Sequence, residues 1–209
     1  MKAYDETLKR LLKFGLDISH IKDVDVLLEK ILSEARIFTN CDAGTIYIKD
    51  SSWLFARYSQ NDSVNVSSGP HRKSVYASIQ LPVDNSSIAG YVAATGEQLN
   101  IPDVYELSPE LPFSFNRSFD VMANYRTTSQ LVLPLTSMRG ETVGVLQLIN
   151  AKDDNGAVVA FDSDDESGIT YFAVTAANAI ERARITREII LRMHRLAELR
   201  DSMETGHHV

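Results

Sequence analysis

A single cysteine, Cys41, stands among 209 residues. That excludes an intramolecular disulfide, a thiolate-rich zinc cage and a resolving-thiol redox pair. Long hydrophobic runs are missing too: none approaches the roughly 18 to 20 apolar residues that span a bilayer. The opening MKAYDETLKR is polar and charged, where a secretory leader has a basic start followed by an apolar stretch. A cytoplasmic chain with no membrane partner is expected. Positive charge is not in excess either. Lysine and arginine number 21 against 28 acids, a formal charge of −7, which removes the sequence-independent attraction most nucleic-acid binders use. No nucleic-acid partner is expected. What the chain does have is 44% hydrophobic residues, enough to bury a core, so it is neither disordered nor collagen-like. At about 100 to 200 residues per domain, the length fits one domain with extensions or two small ones.

The first forty residues read as two helices. In DVDVLLEKILSEARIF, Val24, Leu27, Leu28, Ile31, Leu32, Ala35 and Phe38 recur at the three-and-four spacing of one helical face, with Asp23 placed as N-cap. The preceding YDETLKRLLKFGLDIS carries a thinner stripe, Leu8, Leu11, Leu12 and Ile18, interrupted by Gly15; it reads as an extension that packs against a partner. From Ala43 the period becomes two. AGTIYIKD, WLFARYSQ and VYASIQLP read as three antiparallel strands. A short helix follows, SSIAGYVAATG, capped by Ser86 or Ser87 and stopped by glycine. After the strand QLNIP, residues 103–128 have no sustained period, but their five aromatics, Tyr105, Phe113, Phe115, Phe119 and Tyr125, argue for a packed cover.

SQLVLPLTS and ETVGVLQLIN flank MRG and read as a hairpin with Gly140 at positive φ. The acidic AKDDNGAVVAFDSDDE reads as a loop, and its DDNG lacks the oxygen spacing of a calcium loop. The longest helix then starts near Ser163, with Ser163 and Glu166 at the spacing of a capping box. Ile169, Phe172, Ala173, Ala176, Ala179, Ile180 and Ala183 mark its core face. Ile189, Met193, Leu196 and Leu199 extend an apolar stripe beyond Arg184, the sign of a parallel two-helix pairing. A homodimer through the N- and C-terminal helices is expected. The order of elements suggests a sheet with helices on one face and a lidded cavity on the other.

Three segments, SSIAGYVAATGEQLNIPDVY, NYRTTSQLVLPL and GETVGVLQLINAKD, resemble a GAF domain of the cyclic-nucleotide phosphodiesterase type, over roughly Val24 to Arg184. The resemblance implies an α+β fold: a PAS-like central antiparallel sheet of about six strands with the N- and C-terminal helices bundled on its back. At the C-terminus, LAELRDSMETGHHV resembles the first motif of an HD-GYP domain, D-x-E-T-G-x-H, carried by Asp201, Glu204, Thr205, Gly206 and His208. In that family the glutamate and histidine help bind iron or similar divalent metals that hydrolyse cyclic di-GMP. Two donors cannot hold a catalytic ion that needs at least three protein ligands, so this chain is expected to be no enzyme and to carry no cofactor of its own. The organisation implied is 1–22 as an extension helix, 23–184 as the GAF domain, 185–200 as a signalling helix and 201–209 as the start of an HD-GYP domain.

Candidate ligand contacts follow from the resemblance. The unpaired amides of a helix start, with the dipole behind them, make an anion site, and in cyclic-nucleotide GAF domains the phosphate lies there, at Ile88 and Ala89 here, with Gly90 permitting close approach. The plain reading of the same residues is a capped helix with no ligand. Thr45, Tyr58, Thr127 and Gln147 match base- or ribose-contacting places; Tyr105, Phe119 and Asp120 belong to the cover. Each aromatic also reads as ordinary core. The family motif N-K-x-n-F-x-x-x-D-E is met at Asn150, Phe161, Asp165 and Glu166, but Ala151 replaces the lysine and Lys152 stands one place late. In an extended segment that displacement points it to the other face. The acids also serve simply as first-turn dipole partners, worth about 0.3 to 1 kcal/mol each. Cys41 is expected to be a small buried hydrophobe. The function expected is a non-catalytic sensor that binds a small ligand, a nucleotide among the candidates, and controls a C-terminal HD-GYP cyclic di-GMP phosphodiesterase through the helical linker. The alternative is a structural dimerisation module with no ligand, its cavity filled by its own side chains, Phe113, Phe115 and Phe119.

Overall fold

The computed structural model describes residues 2–64 and 79–205, with side chains described from 8 to 64 and from 79 to 198. Two helices open the chain, α1 (Lys2–Ile18) and α2 (Val24–Phe38). Asp23 caps α2 as its spacing predicts, its carboxylate accepting from the amides of Asp25 (2.8 Å) and Val26 (3.1 Å). The strands are β1 (Cys41–Asp50), β2 (Trp53–Asn61), β3 (Gln80–Pro82), β4 (Leu99–Ile101), β5 (Gln130–Thr136), β6 (Thr142–Lys152) and β7 (Val158–Val159). Between them lie α3 (Ile88–Thr95) and α4 (Ser118–Ala123), and the chain continues in α5 (Ser163–Thr205). The strands pair antiparallel in the order β3-β2-β1-β6-β5-β4, the six-strand sheet expected, with β7 added to the end of β6. The acidic segment is therefore partly strand and not wholly loop. Of VYASIQLP, residues 75–78 lie outside the described residues.

Alternation along the strands sorts their side chains onto two faces. Ile46, Leu131, Leu133, Leu146 and Leu148 point to the back, where they meet Leu28, Ile31 and Leu32 of α2 and Ile169, Phe172, Ala176 and Ile180 of α5. Full burial of each such side chain contributes about 1.5 to 3 kcal/mol. Tyr47, Leu54, Ala56, Val132 and Val145 point to the front, against α3, Ile101, Val104 and Phe113. α1 joins the back through a residue the stripe omitted: Phe14, 4% exposed, packs 4.7 Å from the Phe172 ring. Gly15 is required beside it, because a Cβ there would stand 2.7 Å from the Tyr171 hydroxyl. Leu8, Leu12 and Leu16 stay exposed on α1, and every residue of α5 from Arg184 to Glu198 is exposed.

Three local readings need correction or support. Gly140 has the expected positive φ, +80°. The cap of α5 sits one residue earlier than Ser163: the Asp162 carboxylate accepts from the amides of Asp164 and Asp165, both at 2.8 Å, and the Asp165 carboxylate accepts from the Asp162 amide at 3.1 Å. Asp162 and Asp165 thus form the reciprocal box, which leaves Glu166 to accept from the Asn100 amide at 2.5 Å.

Burial, reinforced by the Asp162 and Asp164 carboxylates and opposed by the Asp162 amide, pushes the Asp165 carboxyl up from 3.8 to about 6. A carboxyl that holds its proton more tightly when folded contributes stability that is complete below about pH 4 and is lost as pH rises through about 6. Asp165→Asn should therefore gain melting temperature relative to the native chain as pH is raised from 4 to 7. A difference that stays constant across that range in calorimetric melts would contradict the assignment.

Candidate functional site

Between the front of the sheet and residues 103–129 lies a cavity of about 160 Å³. Its floor is Thr45 and Tyr47 of β1, Gln130 of β5, and Gln147 and Ile149 of β6; one wall is the start of α3, Ser87, Ile88 and Ala89; the roof is Phe115, Phe119, Ala123, Tyr125 and Thr127. The register explains the floor. Thr45 stands opposite Gln147 and between the two neighbouring strands, so residues of one parity converge. Ser87 caps α3 by accepting from the Gly90 amide at 3.0 Å, which leaves the amides of Ile88 and Ala89 at the wall. Gly90 itself is needed for another reason than ligand approach: its absent Cβ would stand 2.5 Å from the Pro82 carbonyl.

Two buried carboxylates hold the roof. Asp120, 4% exposed, accepts from the Tyr105 hydroxyl, the Thr127 amide and the Thr127 hydroxyl, all at 2.8 Å. Hydrogen bonds to a charged group contribute about 1.5 to 3 kcal/mol each, so α4 is tied firmly to both ends of the cover. Tyr105 is in turn flanked by the Arg117 and Arg126 guanidiniums, 4.6 and 4.2 Å from its ring centre. Asp42, 2% exposed, accepts from the Lys152 ammonium, from the Ser63 hydroxyl at 2.9 Å and from the Tyr125 hydroxyl at 2.9 Å. Burial alone would raise this carboxyl, but the bonds from Lys152, Ser63 and Tyr125 bring it below its ordinary range. Burial and the Asp42 charge together push the Tyr125 phenol upward, so it remains a donor. Asn150, at φ +59°, completes the strut: its amide nitrogen donates to the Tyr125 hydroxyl at 2.9 Å and the Arg126 carbonyl at 2.8 Å, and its oxygen accepts from the Thr128 amide at 2.7 Å.

The structure gathers Thr45, Ile88, Ala89, Phe119, Asp120, Thr127 and Gln147 around one space. Tyr58 is not among them. A bulge skips Arg57, so that Ile46 pairs with Tyr58 and Tyr47 with Ala56; the extra residue flips the parity, and Tyr58 faces α2, where its hydroxyl donates to Asp25. Tyr105 supports the cavity through Asp120 and does not line it. Of the motif residues only Asn150 stays at the site, as the strut beneath Tyr125, and the others part from it. Phe161 is 4% exposed in the back core, Asp165 caps α5, Glu166 binds Asn100, and Lys152 meets Asp42 in place of Asp165. Phe113 leaves the cavity to pack on Tyr91, 4.9 Å between ring centres. Glu204 lies on α5 where side chains are outside the described residues, as is His208 altogether.

Sequence reasoning missed Tyr47, Gln130 and Asp42, and took Tyr125 only as an aromatic of the cover. Tyr47 had a signal, being two along from Thr45, and so had Gln130, a polar residue leading an apolar strand. Asp42 had none, since its partners stand 21, 83 and 110 residues away. Cys41 is buried, and burial pushes its thiol up to about 11, so it is protonated and unreactive near neutrality. No group of three metal-ligating side chains is found among the described residues, and no helix among them is long and apolar enough to cross a membrane.

A family model described as GAF domain matches residues 23–180. The chain is 28% identical over 194 residues to the probable 3',5'-cyclic phosphodiesterase pde-5 of Caenorhabditis elegans, a match covering 87% of this chain but only 24% of that one. It thus spans about a quarter of that relative. Among solved structures, the GAF domain of a phosphoenolpyruvate-protein phosphotransferase from Coxiella burnetii superposes with a TM-score of 0.67 at 18% identity, covering 87% of this chain and 96% of the other. Free methionine-R-sulfoxide reductase from Neisseria meningitidis, solved with its substrate, gives 0.60 at 19% identity, covering 86% and 91%. These likenesses carry the fold. With the family match spanning most of its length, the chain belongs to the GAF domain family, whose members are generally regulatory modules without catalysis.

Proposed function

We propose that this chain is the non-catalytic sensor of a larger signalling protein, binding a small ligand of nucleotide type in the front cavity and passing the event along α5. The observation that carries the reading is the cavity itself: a polar floor, a wall of helix-start amides at Ile88 and Ala89, and a roof pinned by Asp120, with the large aromatics lining the space instead of filling it. Of the three aromatics named for the scaffold alternative, Phe115 and Phe119 line the cavity while Phe113 packs on Tyr91, which favours the sensor reading. The output proposed is an HD-GYP cyclic di-GMP phosphodiesterase following α5, supported by the sequence DSMETGHHV alone, with Glu204 and His208 among its metal ligands.

Two features support a path from cavity to helix. The Arg184 guanidinium donates to the Lys49 and Val143 carbonyls, tying α5 to β1 and β6, the strands that carry Thr45 and Gln147. Beyond that clamp α5 presents Ile185, Ile189, Ile190, Met193 and Leu196 to solvent, each at least 42% exposed, and α1 presents Leu8, Leu12 and Leu16. A parallel homodimer covers these stripes and makes the helices a transmitter that a shift of the sheet would slide or rotate.

The displaced lysine weakens the expected hold on cyclic nucleotides, so calorimetric titration should show cyclic AMP or cyclic GMP binding only weakly, in the high micromolar range or above, and lost when Ala89→Trp fills the wall. An absence of heat and of thermal shift at millimolar nucleotide would overturn the ligand reading. In sedimentation the chain should be a dimer at tens of micromolar, converted to monomer by Ile189→Glu with Leu196→Glu. A native monomer, or a dimer indifferent to those charges, would refute the helical interface.

A further inference from the structure

The floor of the cavity is a line of side chains with no fixed direction. The Ser59 and Thr45 hydroxyls lie 3.1 Å apart, and either one serves as donor. The Tyr47 hydroxyl donates to Gln147 Oε1 at 3.1 Å, and Gln147 Nε2 donates to Gln130 Oε1 at 3.1 Å. Gln130 is only 2% exposed, it lines the cavity, and its amide oxygen is the end of the line, accepting from Gln147. Tyr47 and Gln147 are 6% and 9% exposed. Each of these groups both donates and accepts. Turning both amides end for end, so that each N and O trade places, and rotating the Tyr47 O–H reverses every bond: Gln130 Nε2 then donates to Gln147 Oε1, Gln147 Nε2 donates to the Tyr47 oxygen, and the Tyr47 O–H turns to the neighbouring Thr45 hydroxyl. Burial, opposed by the Thr45 hydroxyl, pushes the Tyr47 phenol upward, so the line stays neutral in either direction.

We propose that Gln130 is the specificity-determining residue of the cavity and that the reversible line behind it reads the polar edge of a planar heterocycle, accepting an amino edge and an oxo edge alike. In one direction Gln130 offers its NH2 to a ring carbonyl; in the other it offers its carbonyl to a ring amine. The Phe115 and Phe119 rings in the same cavity provide flat apolar walls for such a ring. A site of fixed polarity rejects a ligand of the wrong hydrogen-bonding pattern by about 10⁴-fold or more, because its own buried groups are left unpaired. A line that reverses as a unit leaves none unpaired, and discrimination falls to within about tenfold. The inference rests on the reading that the cavity holds a nucleotide-type ligand.

The test is a calorimetric titration of the whole chain with 3',5'-cyclic AMP and 3',5'-cyclic IMP, which differ only along one edge of the base: a 6-amino group beside an accepting N1 in the first, a 6-oxo group beside an N1–H donor in the second. The native chain should bind the two within about tenfold of each other. Gln130→Glu, titrated at pH 8 with its carboxylate held by the Gln147 amide, fixes an acceptor at the front and should shift the ratio by more than about tenfold toward cyclic AMP. Gln130→Met, which keeps the volume and removes both functions, should weaken the two ligands by a similar factor and serves if the glutamate variant does not fold. A native preference greater than about tenfold, a ratio unmoved by Gln130→Glu, or affinities unmoved by Gln130→Met would each overturn the proposal while leaving the ligand reading intact. Failure of both nucleotides to bind the native chain would overturn the ligand reading and the proposal with it.

Discussion

An ionised carboxylate under the cover would cost several kcal/mol if it found no donors, and satisfying Asp120 is the constraint on which the cavity depends. Its donors come from Tyr105 at the start of the cover and Thr127 at its end, so the segment is closed on itself through α4. That closure holds Phe119 and Ala123 over the sheet without packing them down onto it. Asp42 does the same at the other rim, gathering Ser63 after β2, Tyr125 of the cover and Lys152 of β6. Hydrophobic burial would collapse a lid of Phe and Tyr side chains onto Thr45 and Gln147; two buried acids with fixed donors keep the roof at a distance. The back of the sheet shows the contrast. There Leu, Ile and Ala close-pack with α2 and α5 and leave no comparable space.

The helices other than α4 and the hairpin turn at Gly140 were legible because periodicity and turn chemistry are local signals; the order of the strands in the sheet was not, because it joins distant segments. Thr45 and Gln147 were placed together by the family resemblance, and the register sets them opposite each other on one face. Tyr58 shows where that reasoning stops. Leu54, Ala56 and Tyr58 share a parity on paper, and a single bulged residue, Arg57, reverses it; nothing in WLFARYSQ marks the bulge. The cap of α5 was misplaced by one position for a different reason, since DSDDE offers several capping side chains and only the backbone selects Asp162. The Asp42 and Lys152 pair was invisible because it joins residues 110 apart. The late lysine, which looked like a defect in a ligand motif, has a structural partner of its own.

The sheet that carries the floor also carries the exit of α5. β6 runs from Val143, whose carbonyl takes Arg184, to Gln147 in the cavity and on to Asn150 beneath Tyr125. Under the proposed sensor reading, a ligand that repositions the floor would act on the strand that anchors α5. That connection runs through one continuous strand, and it requires that the two arrangements of the floor differ in how they hold α5.

Hydrogen–deuterium exchange of the native chain with and without millimolar cyclic AMP tests the central claim, that the covered cavity is where a ligand is sensed, most directly. The account predicts slowed exchange in the first turn of α3 at Ile88 to Val92 and in α4 with Tyr125 to Thr127, because a ligand braced between floor and roof suppresses opening of the cover. Unchanged exchange in both segments, or protection confined to α1 and α5, would contradict it.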